Sequence, residues 1–127
     1  MAKGIKIKRV YAPPSPGDGK RILIDRLWPR GVSKNSARID VWLKDIAPSN
    51  RLRTWFNHDP DKWTEFAGRY RRELREKANV LQELRAEAGR GAITLLFAAK
   101  DEEHNNAVVL RDLLAGKRQE KNENARR

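Results

Sequence analysis

Asp25, Arg26 and Arg30 fall within seven residues, Asp25-Arg26-Leu27-Trp28-Pro29-Arg30-Gly31, directly after the apolar run Ile22-Leu23-Ile24. A guanidinium is a planar fork of N–H donors matched to phosphate or carboxylate oxygens, so Arg26 and Arg30 beside backbone amides would clamp an anion. Trp28 would offer a ring for stacking, or simply pack. The competing arrangement is structural: Asp25 pairs with one arginine and ties the segment down. A second polar group, 100–106, follows another apolar run. Lys100 and Asp101 there precede a helix whose first amides would meet an anion, with Asn105 at the start. Asp101, Glu102 and Glu103 would equally complement the helix dipole with no ligand at all. His104 would serve as a general base if Asp25 or Asp101 orients it, since imidazole titrates near neutral pH. Asp25 and His104 are thus the catalytic candidates, and Arg26, Trp28, Arg30, Lys100 and Asn105 the ligand-binding ones.

Other chemistries are excluded by composition. The chain has no cysteine, which removes disulfides, thiol nucleophiles and thiolate metal sites. With His58 and His104 its only histidines, a zinc centre would need carboxylates, and neither metal nor cofactor is expected. His58-Asp59-Pro60-Asp61 carries metal-capable atoms, but Asp59 before a proline reads as a helix cap. Arg69, Arg71, Arg72 and Arg75 read as a solvated face, with Arg72 and Glu76, and Glu73 and Lys77, spaced as helix pairs.

The net charge of +11 is unevenly spread: residues 1–38 hold ten Lys or Arg against Asp18 and Asp25, whereas the middle of the chain is nearly neutral. This raises nucleic acid as an alternative partner, tracked by the basic first third and the tail. No recognition-helix or OB-type pattern accompanies it. A small interaction protein without chemistry is the third reading.

These residues need elements to hold them. One domain is expected for 127 residues, over 1–115. After Gly116 only Ala125 is apolar, so 116–127 reads as a disordered basic tail. Ile5-Lys6-Ile7 alternates like a strand with one apolar face, giving a strand over 5–11. The proline- and glycine-rich stretch 12–20 is a loop. Strands over 21–27, at Ile22-Leu23-Ile24, and over 92–98 are apolar on both faces, as in a central parallel sheet. Between them the spacing of Ile39, Trp42, Leu43 and Ile46 predicts a helix ending before Pro48. Ser49 caps a short helix bearing Leu52, Trp55 and Phe56. Asp59-Pro60 opens the longest helix, whose stripe is Trp63, Phe66, Ala67, Tyr70 and Leu74. Asn79 with Gln82 predicts a capping box for a helix closed by Gly89. The last helix carries Ala107, Val108, Leu110 and Leu114, capped by Asn105 or a neighbour.

The fold class is therefore α/β, with a mostly parallel sheet of at least three strands packed by about five helices. Buried strands joined through helices run parallel, which brings the carboxyl ends of 21–27 and 92–98 to one sheet edge. Ligands bind at that edge in open α/β sheets. The expected function is binding of a small phosphate- or carboxylate-bearing molecule there, with hydrolysis or group transfer as the reactions such a site would serve. No run of about 18 apolar residues suggests a membrane span. The chain reads as soluble and cytoplasmic, with no membrane partner.

The string 25–31, followed by Trp42-Leu43-Lys44, Ala47-Pro48-Ser49, Leu52-Arg53, Trp55-Phe56, Tyr70, Glu73-Leu74 and Leu95-Leu96, resembles the YeaO-like branch of domain-of-unknown-function family 488. The resemblance runs from about Ile5 to about Leu114 and implies a small α/β domain without an established activity. Longer members carry a cysteine-histidine-arginine motif after the last strand. The corresponding turn here is His104-Asn105-Asn106-Ala107, so no reaction built on that cysteine carries over. The resemblance also implies that the proline-rich loop replaces a helix between strands one and two.

Overall fold

The alternation of Ile5-Lys6-Ile7 forms strand β1 (Ile5–Arg9), and the two apolar runs form β2 (Lys20–Leu23) and β4 (Ile93–Phe97). The computed structural model describes residues 4–116; the basic tail foreseen over 116–127 lies, beyond Gly116, outside the described residues. Each strand ends before the expected segment does, at Arg9, Leu23 and Phe97 in place of 11, 27 and 98, and β2 starts one residue earlier, at Lys20. The sheet has four strands, all parallel, in the order β1-β4-β2-β3. Between β1 and β2 the chain makes only a 3-10 turn, Pro16–Asp18, within the proline-rich loop.

The fourth strand corrects the helix expected over Ile39 to Ile46. There the chain forms α1 (Lys34–Ala37), then β3 (Val41–Trp42), then a 3-10 turn, Lys44–Ile46. Arg38 stops α1 in the left-handed region at φ 53°. Beyond it the chain runs extended beside β2: Asp40 N donates to the Arg21 carbonyl (2.9 Å) and Leu43 N to the Leu23 carbonyl (2.8 Å). The same apolar spacing fits an edge strand and a turn: Ile39, just before β3, and Ile46, at the end of the turn, are both buried.

Four helices cover one face of the sheet: α2 (Asn50–Phe56), α3 (Trp63–Arg75), α4 (Ala78–Arg90) and α5 (Asn106–Leu114). Their buried residues meet Ile22, Ile24, Ile93, Leu95 and Phe97 in the main core. The other face is thinner. Leu23 and Leu96 pack there with Val10, Ala37 and Ile39, under half-buried Trp28 and Val32.

The caps at Ser49 and Asn105 form as foreseen: Ser49 Oγ accepts from Leu52 N and Asn105 Oδ1 from Val108 N, both 3.1 Å. The Asn79 capping box does not form. α4 starts at Ala78, directly out of the turn that ends α3, so Asn79 lies inside the helix; the end falls at Gly91, not Gly89. Lys77 already supplies a carbonyl to Leu81 N at 3.0 Å.

Tyr70 anchors α3 to the sheet edge. Fully buried, it donates its hydroxyl to the Ile46 carbonyl at 2.7 Å. Burial, reinforced by the charges of Asp25 and Glu73, pushes its pKa well above the ordinary tyrosine value, so it remains a donor. Tyr70→Phe should lower stability by about 1–3 kcal/mol, because the Ile46 carbonyl is left unpaired in the core. Urea denaturation of the two proteins would read this directly.

Candidate site at the carboxyl edge

Because β2 and β4 are parallel neighbours, their polar sequels meet at one edge. Asp25 joins them. Its Oδ2 accepts from Ala98 N at 2.9 Å, and its Oδ1 from Asn106 Nδ2 at 3.1 Å, which also donates to the Ile24 carbonyl at 3.1 Å. The ion pair considered between Asp25 and a neighbouring arginine does not form among the described residues. Burial raises the Asp25 pKa; the bonds from Ala98 and Asn106 and the charges of His58 and Arg53 oppose that rise without cancelling it.

Arg26 turns away from Asp25. Its Nε donates to the Pro48 carbonyl (3.1 Å) and its Nη2 to the Ala47 carbonyl (3.3 Å). The guanidinium thus forms one wall of an open cleft of about 440 Å³, together with Ala47 and Ser49. Arg69, Arg72, Glu73, Glu76 and Lys77 line the rest. Glu73 is committed: it accepts from Ser49 N at 2.8 Å and Ser49 Oγ at 2.7 Å. Lys77 donates to the Asp45 carbonyl, and Arg69 pairs with Glu65 while lying over the Trp55 ring at 4.3 Å. The helix pairs expected between Arg72 and Glu76 and between Glu73 and Lys77 are absent among the described residues.

The other foreseen residues are dispersed. Trp28 packs on the thin face, its indole N–H donating to the Val32 carbonyl at 2.7 Å, its ring edge-on to Trp42 at 5.2 Å. Arg30 is exposed, and its carbonyl accepts from the Tyr11 hydroxyl at 2.9 Å. Neither lines the cleft, and neither does exposed Lys100. Asn105 is buried and spent on its own helix, its amide donating to the Asp101 carbonyl at 2.8 Å. His104 is oriented by Asp101, whose Oδ2 lies 2.9 Å from Nδ1, and its ring stands edge-on to Trp63 at 5.2 Å. Hydrogen bonds from the Glu103 amide, His104 side chain and His104 amide hold the Asp101 pKa below its ordinary value. Among the described residues no group of three or more His, Asp or Glu is placed to hold a metal ion. No described helix is long and apolar enough to cross a membrane.

The cleft wall on α3 and the turn after it carries a signal in the sequence. Residues 69, 72, 73, 76 and 77 recur at i, i+3, i+4, i+7 and i+8, the spacing of one helix face; Arg69, Arg72 and Glu73 lie on α3, and Glu76 and Lys77 in the turn that follows it. By itself such a stripe reads as a solvated face; that it faces Arg26 depends on the path of Ala47 to Ser49.

Comparison with known proteins places this geometry in a family. A family model described as "Inactive DUF488-N3 subclade" matches residues 4–127. An uncharacterised protein of Mycobacterium tuberculosis is 42% identical over 113 residues, 89% of this chain and 95% of its relative. The uncharacterised protein YeaO of Escherichia coli is 41% identical over 110 residues, 87% of this chain and 96% of its own. No solved structure matches. The chain accordingly belongs to the YeaO-like branch of the DUF488 family, within the subclade described as inactive.

Proposed function

We propose that this domain binds a small phosphate- or carboxylate-bearing molecule in the cleft beside Arg26 and does not transform it. The observation that carries the reading is the grouping of Arg26, Arg69, Arg72 and Lys77 around one concavity whose carboxylates are only Glu73 and Glu76. Arg26 has Nε and Nη2 engaged on fixed carbonyls, which pre-orients the remaining N–H groups of its fork. The absence of a thiol and the subclade's description as inactive favour binding over turnover. Chemistry at this edge is otherwise thin: His104 and Asp101 form a dyad, and among the described residues no nucleophilic side chain is hydrogen-bonded to it.

Arg26→Lys keeps the charge and loses the fork, so pyrophosphate binding should weaken by about 1–3 kcal/mol, the scale of charge-assisted hydrogen bonds. Arg30→Lys, outside the cleft, should leave it unchanged. Calorimetric titration of both variants and wild type checks this. Equal affinities in all three, or no binding by wild type, would remove the cleft as an anion site.

A further inference from the structure

Three large apolar side chains stand exposed on the described surface: Leu27 (59% accessible), Tyr11 (46%) and Trp42 (38%). All three belong to the carboxyl edge of the sheet, following β1 and β2 or ending β3. None of the three lines the cleft, and the segment 27–30 links them. The Tyr11 hydroxyl bonds the Arg30 carbonyl, Leu27 and Trp28 precede Arg30 in the chain, and Trp28 meets the Trp42 ring.

Cations are interleaved with these rings. Arg9, whose Nε and Nη2 donate to the Ala99 and Ala98 carbonyls, lies over Tyr11, and Lys44 lies over Trp42, each at 4.9 Å from the ring centroid, while exposed Arg30 adjoins Tyr11 through its carbonyl. Residues 26–44 contain five Lys or Arg and a single acid, Asp40. A surface with that balance repels a second copy of itself and attracts a polyanion. Exposed aromatic rings need flat apolar partners, and phosphates need cations at short intervals. Unpaired nucleotides supply both, whereas duplex bases are already stacked on each other.

We propose that the Tyr11–Leu27–Trp42 surface is a docking site for single-stranded nucleic acid, with bases stacking on Trp42 and packing on Leu27 while Arg9, Arg30 and Lys44 track phosphates.

The test uses the full chain and a fluorescein-labelled thymidine 12-mer, titrated by anisotropy at two salt concentrations. Residues 117–127 carry five further cations, so salt dependence alone does not locate the site; the variants do. Trp42→Ala should weaken binding about five- to one-hundredfold, the range for loss of one stacked base, and Trp42→Phe should recover part of it. Leu27→Glu and Arg30→Glu, both at exposed positions, should weaken binding while leaving the melting temperature unchanged, and Arg30→Glu should flatten the salt slope. These two variants decide the matter if Trp42→Ala does not fold. Unchanged affinity in Leu27→Glu and Arg30→Glu would overturn the proposal, as would equal affinity for a duplex. So would a wild-type dimer in sedimentation that Leu27→Glu dissociates, because the occupant would then be a second copy.

Discussion

Gly19→Ala is expected to destabilise the fold by about 3 kcal/mol or more, through a strained backbone of about 1–3 kcal/mol and a collision added to it. Gly19 sits at φ 63°, ψ −141°, a conformation that side-chain-bearing residues avoid. A Cβ there would stand 2.0 Å from the Ala92 carbonyl oxygen and 2.6 Å from its carbon. That same oxygen accepts from Lys20 N at 3.1 Å, at the start of the pairing between β2 and β4. The clash therefore cannot be relieved without opening the sheet's central ladder. Gly31 provides the control. It too has positive φ, at 75°, yet a Cβ would meet nothing within 4 Å, so Gly31→Ala should cost only the backbone preference, about 1–2 kcal/mol. Chemical denaturation of both variants separates the two contributions. Equal losses would show that the approach of Ala92 is not a constraint.

Asp18→Ala should cost about 3–5 kcal/mol, because it strips the counter-ion from a buried arginine. Asp18 Oδ2 lies 2.6 Å from Arg21 Nη1, and both side chains are almost fully buried. Lys8 Nζ adds a contact at 3.0 Å, and Ser15 donates its amide and hydroxyl to the same carboxylate at 3.0 and 2.9 Å. The Asp18 carbonyl is used as well, accepting from Thr94 Oγ1 at 2.7 Å. Arg21 in turn donates to the Ala37 carbonyl through Nε (3.0 Å) and Nη2 (2.7 Å), which pins α1 against the thin face. Replacing the pair together, Asp18→Leu with Arg21→Met, should cost less than Asp18→Ala alone.

The same carboxylate sets an acid limit. Burial by itself would raise the Asp18 pKa, but the bonds from Lys8, Ser15 and Arg21 hold it well below the ordinary carboxylate range. A depressed folded-state pKa stabilises the fold fully above the unfolded value of about 3.9, and that stabilisation fades as pH falls below it. Asp25, raised by burial, works the other way: its ionised form opposes folding, and the opposition lifts on acidification. The difference in stability between wild type and Asp18→Ala should be constant near neutral pH and shrink below about pH 4. A gap that persists unchanged at pH 3 would mean that the carboxylate's charge is not what holds Arg21.

Much of this fold is legible from short-range pattern. Period-two alternation at Ile5-Lys6-Ile7 and the run 92–98, apolar except for Thr94, identify β1 and β4, and Ser49 and Asn105 announce their helices by chemistry that acts within three residues, whereas Asp59 caps a 3-10 turn, Pro60–Lys62, that leads into α3. The meeting of 25–31 with 100–106 followed from parallel strands, and the Asp25–Asn106 bond realises it. What escaped depends on contacts between residues far apart in sequence. Nothing near Val41 announces that it pairs with Ile22. Nothing in the α3 stripe tells that Glu73 will turn to Ser49, or that Arg26 will reach the Pro48 carbonyl. The buried Asp18–Arg21 pair was equally hidden, since two charges in a loop and a strand look like surface residues until the sheet closes over them.

Because β4 is the partner of both β1 and β2, the sheet cannot be assembled in the order in which a ribosome delivers it. Apart from the two-residue pairing of β2 with β3, the early strands have no one to bond until Ile93–Phe97 emerges. Folding then requires closing the loop that runs from Ile5 to Ile93, the condition under which domains fold slowly. During that wait β1 offers an open backbone edge to any passing chain, and the lysines at 6 and 8 are the charges that blunt it.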